Sequence, residues 1–110
     1  MSYSNDFTQI RNGFVNYIGS ALNASPFQDN AARHHVVSMM IEEAINLATD
    51  EDKSINLYAI KPLFRGCKAI FEQRRNALKQ LPTSTAINEQ IAEYDETIKM
   101  LDNLINNIQN

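Results

Sequence analysis

The chain has no tryptophan, one cysteine, three glycines and three prolines in 110 residues. A single cysteine, Cys67, rules out an internal disulfide, so nothing in the sequence requires an oxidising compartment. Scarce glycine and proline leave few turn signals, too few for a sheet of many short strands. No apolar run approaches the ~20 residues that cross a bilayer. The opening Met1-Ser2-Tyr3-Ser4-Asn5-Asp6 lacks the basic and apolar regions of a signal peptide. Asn23-Ala24-Ser25 has glycosylation spacing, but Pro26 follows it and no leader accompanies it. An excess of one charge is also missing: the formal net charge is −3, which gives no global field to recruit nucleic acid or an anionic membrane. These absences predict a cytoplasmic protein with no membrane partner.

What the chain does have is helix-forming residues and apolar periodicity. Apolar residues make up 44% of the sequence, enough for a globular core, and the length suits one domain spanning 1–110. Ile60, Phe64, Cys67, Phe71, Arg74, Leu78 and Leu81 are spaced alternately four and three apart. After Pro82-Thr83-Ser84-Thr85 the same spacing returns in Ile87, Ile91, Tyr94, Ile98, Leu101, Ile105 and Ile108. Two such repeats across a short break predict an antiparallel helical hairpin over about 61–81 and 85–108. In that register Leu81 faces Ile87, Leu78 lies near Ile91, Phe71 falls between Tyr94 and Ile98, and Cys67 is near Leu101. A further apolar row at Leu63, Ile70 and Ala77 marks a helix inside a bundle rather than a free coiled coil.

Two earlier helices would dock on that row. Phe7, Ile10, Phe14, Ile18 and Leu22 follow helical spacing after candidate caps at Ser4 to Asp6. Ser25-Pro26-Phe27-Gln28 reads as a second helix start, with Ser25 as cap, Pro26 in the first position and Gln28 closing a capping box. The wide apolar stripe from Val36 to Ala48 makes this second helix the central one. Thr49 to Ser54 is a charged connector, and Ile55–Ala59 fits either a helical turn or an extended piece. Pro62 places the third helix start at Lys61 or Pro62. The fold class that follows is all-α: a single domain resembling a four-helix bundle, with a long C-terminal hairpin.

Charge is uneven. Lys61, Arg65, Lys68, Arg74, Arg75 and Lys79 are six of the ten basic residues, and only Glu72 opposes them locally. Lys68 and Arg75 occupy the row that faces Asp102 and Asp95 of the fourth helix, so cross-helix ion pairs account for two of them. Arg65 and Lys79 point further outward. Arg74 breaks the apolar seam: it must reach solvent, meet Tyr94, Glu93, Glu42 or Glu43, or anchor an interface.

No catalytic constellation accompanies these features. His34 and His35 are adjacent and point to different faces, so they do not chelate one metal as an i, i+4 pair does. Glu42-Glu43 has no partner motif or phosphate loop. Arg11 and Arg75 lack the nearby histidine of helical nucleases. Cys67 and the Met39-Met40 pair read as core. The expectation is a non-enzymatic protein with no cofactor and no metal. It would act by docking on another protein, one with an acidic surface, through Arg65, Arg74, Arg75 and Lys79. Inhibitors, antitoxins, immunity or anti-defence factors, adaptors and secretion chaperones share this format. Nucleic-acid binding through the basic third helix is the alternative, and self-association through the wide second-helix stripe is a further expectation.

Overall fold

A computed structural model describes residues 3–108, with side chains from Phe7 onward. Four helices run in order: α1 (Tyr3–Ala24), α2 (Asn30–Ala48), α3 (Leu57–Lys79) and α4 (Thr85–Asn107). The expected all-α bundle is therefore the fold. The candidate α1 caps at Ser4 to Asp6 lie within the helix, and their side chains are outside the described set. α2 and α3 each pack on all three other helices, while the backbones of α1 and α4 flank them without packing on each other. The predicted central position of α2 is shared with α3.

Each boundary has a local cause. Ser84 caps α4 by accepting from the Ile87 N–H at 3.1 Å, at the position the break after Pro82 suggested. The start of α2 differs from the expectation. Ser25 donates its N–H to the Ala21 carbonyl and so finishes α1, and Asp29 caps α2 by accepting from Ala32. Phe27 is drawn out of the local pattern into the core, where none of it is exposed. Its ring stacks on Tyr94 at a 4.6 Å centroid distance and meets Phe71 at 5.6 Å.

α3 also starts earlier than Pro62 implied. Asn56 caps it by accepting from the Tyr58 N–H, and Pro62 sits inside the helix. Proline here forfeits one bond, to the carbonyl of Tyr58, a residue in the exposed first turn where water can replace it. The connector before it is ordered: Thr49 and Ile55 form an isolated antiparallel bridge, and Asp52 accepts from both the N–H and hydroxyl of Ser54. Those two bonds hold the Asp52 carboxyl below its ordinary range. Lys53, at the tip, takes a left-handed φ of 71°.

The core is layered around the α2–α3 pair. Phe14, Ile18 and Leu22 enter from α1, Val36, Met40 and Ala44 from α2, Leu63, Cys67 and Phe71 from α3, and Ile98, Leu101 and Ile105 from α4. Thr97 is the one buried polar residue among those described, and its hydroxyl donates to the Glu93 carbonyl at 2.9 Å. α1 and α3 run parallel and close: a Cβ on Gly66 would lie 2.8 Å from Val15 Cγ2. No helix among the described residues is long and apolar enough to cross a membrane.

Candidate interaction surface

The hairpin outruns the rest of the bundle. Buried residues end at Phe71 in α3 and resume at Tyr94 in α4, and none of the intervening side chains is fully buried. α1 stops at Ala24, while α2 reaches this level only through Arg33, whose Nε donates to Glu93 Oε1 at 2.7 Å. Beyond Glu93, α4 extends back to Thr85, about 12 Å at 1.5 Å per residue, packed along the end of α3, with Gln90 facing Leu22, Asn23 and Pro26 across an open groove. This two-helix finger accounts for the elongated 48 × 26 × 21 Å shape. The radius of gyration, 14.9 Å, exceeds the ~13 Å of a compact chain this long. Leu81, at the tip, is 50% exposed.

The predicted basic residues divide between two sides of α3. Arg65, Lys68, Arg75 and Lys79 share one stripe with Glu72, spaced three and four apart. On it, Lys68 pairs with Asp102 at 2.5 Å and Arg75 with Asp95 at 3.1 Å, as the heptad register predicted. The Asp102 bond holds the Lys68 ammonium above its ordinary range. Four cations thus stand beside three carboxylates, and Asp102 and Asp95 form ion pairs with two of them. Arg65 and Lys79 remain exposed, and Lys79 lies in the last turn of α3, where a cation complements the helix dipole.

Arg74 points the other way, toward α1. Its Nη1 donates to Asn23 Oδ1 at 2.9 Å and its Nη2 to the Gly19 carbonyl at 3.4 Å. The carboxylate partners considered from the sequence do not reach it: Glu93 is held by Arg33, and no carboxylate among the described residues pairs with Arg74. Tyr94 is near enough to feel its charge. Burial raises the Tyr94 hydroxyl above its ordinary value, and Arg74 opposes that rise in part. The cation serves the end of α1, where carbonyl oxygens carry the negative pole of the helix dipole.

Two open grooves meet at this guanidinium. One, of about 420 Å³, runs from Leu22 and Pro26 past Arg74 to Ala77, Leu78 and Leu81. The other, about 440 Å³, lies between Val15, Gly19 and Ile70 and shares Asn23 and Arg74 with the first. The sequence named Arg74 but not the walls of this trough. Leu22 and Pro26 belong to it because α1 ends beside α3 there, and that depends on how the two helices dock.

A separate apolar patch lies at the α1–α2 edge, where Ile10, Tyr17 and Leu47 are each about two-fifths exposed around Gly13. His34, His35 and Glu42 are exposed, and Cys67 is buried. Among the described residues no three His, Cys, Asp or Glu side chains gather as a metal site would need. Comparison of the chain with protein-family models, curated proteins and solved structures finds no match.

Proposed function

We propose that this chain is a non-enzymatic docking module that binds another protein through the distal end of its hairpin. The observation that carries the reading is the finger itself. A bundle whose only task was to enclose a core would gain nothing from helical turns that bury no residue completely and leave Leu81 half in solvent. Exposed apolar side chains beside Arg74, with a polar surround, have the composition of a protein interface. The inhibitor, antitoxin, adaptor and chaperone classes all use such surfaces.

The basic stripe supports a protein partner over nucleic acid. Lys68 and Arg75 are matched to Asp102 and Asp95, and Glu72 sits between them, so the stripe offers no run of free cations to phosphates. Self-association is a second reading, favoured by the Ile10–Tyr17–Leu47 patch, and sedimentation equilibrium with Leu47→Glu tests it.

The test of docking compares immobilised wild-type protein with a finger variant, Ala77→Arg combined with Leu81→Asp, in an extract of the native cell. Both positions are exposed, so an unchanged far-UV circular dichroism spectrum is expected. The expected result is a protein retained by the wild type and lost by the variant. Equal retention by both, or retention of nucleic acid that salt removes, overturns the reading.

A further inference from the structure

We infer that the trough over Arg74 recognises an amphipathic helix of the partner, one that carries a carboxylate at the edge of its apolar stripe. This deepens the docking reading above and rests on it.

Charge comes first. Acidic residues outnumber basic ones thirteen to ten in the chain, yet none lines either groove, and Arg74 is the only charged residue in both linings. Its acceptors, Asn23 Oδ1 and the Gly19 carbonyl, are neutral and engage two of the five guanidinium N–H groups. Neighbouring cations on α3 are treated differently: Lys68 and Arg75 each have an aspartate. Arg33, a half-buried arginine of α2 near this level, has Glu93. Arg74 is held in place by neutral groups with its charge unmatched, and a planar guanidinium in that state fits an incoming carboxylate in a two-pronged geometry.

Shape specifies the rest. α1 runs parallel to α3 and ends at Ala24, whereas α3 continues to Lys79. The first groove therefore begins where α1 stops and follows α3 over Ala77, Leu78 and Leu81. Its apolar side chains on α3 continue the surface that α1 covers earlier, with Asn23, Gln90 and Tyr94 as a polar rim. The element that packs on such a surface is another helix, with apolar residues at helical spacing to meet Leu78 and Leu81. One cation among apolar and neutral polar side chains suits one acid on a protein segment, not the repeated phosphates of a nucleic acid.

The probe is a display library of random sixteen-residue peptides selected against the intact folded chain. The selected pool is expected to carry Asp or Glu within one helical turn of a Leu, Ile, Phe or Met pair. Binding to Arg74→Gln should fall at least tenfold, and so should binding to Leu81→Ser, an exposed site whose change leaves the fold intact. Thermal melting of both variants confirms that they are folded. Peptides without acid enrichment, equal binding to Arg74→Gln, or no selected binder overturns the inference. So does a doubling of the protein's own mass that Leu81→Ser abolishes, which would mean that a second copy fills the trough. If these results fail while the finger variant still loses its partner in the extract, docking stands and only the acid-bearing helix falls.

Discussion

Replacing Phe27 by alanine should cost this protein more than any other single change in the α1–α2 connection. The side chain is wholly buried, stacks on Tyr94 and tilts against Phe71, although it belongs to no helix. Truncating a buried phenylalanine costs about 3–5 kcal/mol through lost transfer energy and the cavity left behind. The cavity cannot close easily, because α2 and the hairpin are held at this level by the Arg33–Glu93 bond. Total stability of a small domain is roughly 5–15 kcal/mol, so Phe27→Ala removes about a fifth of it or more. At about 4 °C per kcal/mol for this size, the melting temperature should fall by roughly 12–20 °C. Phe27→Leu keeps most of the apolar area and loses the ring stacking, worth about 0.5–1.5 kcal/mol. Urea denaturation followed by far-UV circular dichroism gives both values. With no tryptophan in the chain, the near-UV signal comes chiefly from its four tyrosines. Tyr94 is the buried one among those whose side chains are described, so its band should weaken in both variants. A loss below about 1.5 kcal/mol for Phe27→Ala would refute the claim that this residue locks the end of α1 to the hairpin.

Three further outcomes follow from the packing. The Arg33–Glu93 pair, with side chains only 12% and 18% exposed, should show a double-mutant coupling of about 1–3 kcal/mol, against roughly 0–1 for Arg75–Asp95. Equal couplings in denaturation experiments would contradict the burial argument. Burial pushes the Cys67 thiol from 9.0 up to about 12. The folded state thus holds its proton where the unfolded state has lost it. Stability is unaffected by this group below pH 9 and falls between pH 9 and about 12, at up to about 1.4 kcal/mol per pH unit. Tyr94 adds to the loss in the same direction, and Cys67→Ala should flatten the decline measured by urea titration at pH 8 and 10. Gly66→Val should destabilise by about 1–3 kcal/mol, since even a Cβ there would lie 2.8 Å from Val15 Cγ2, and Val15→Ala should recover part of that. Thermal melts of the two single variants and the double variant decide it.

The hairpin was legible because heptad spacing fixes the angular position of each side chain. Lys68–Asp102 and Arg75–Asp95 are consequences of that one register. Helix starts were less so. Ser25-Pro26 is a sound local start signal, yet burying Phe27 is worth several times what a cap contributes, and Asp29 supplies a cap further on. Pro62 marked a boundary by its own chemistry, but Asn56 could begin the helix earlier because the bond the proline forfeits lies in an exposed turn. Arg74 was recognisable as an anomaly in the seam. That it turns to α1 and not to α4 depends on the parallel docking of α1 against Gly66, which no periodicity within α3 encodes.

The packing of α4 on α2 and α3 also bears on synthesis. That helix is made after α1, α2 and α3, and it brings Tyr94, Ile98, Leu101 and Ile105 to partners that precede it in the chain. At ~5–20 residues per second, the stretch from Gln80 to Asn107 takes a few seconds to appear. During that interval Phe27 has Phe71 but lacks Tyr94, the ring it stacks on, and one apolar face of α3 is uncovered. The nascent chain is therefore open to wrong association until α4 has been made, and the same seam that then closes is what brings the finger into being.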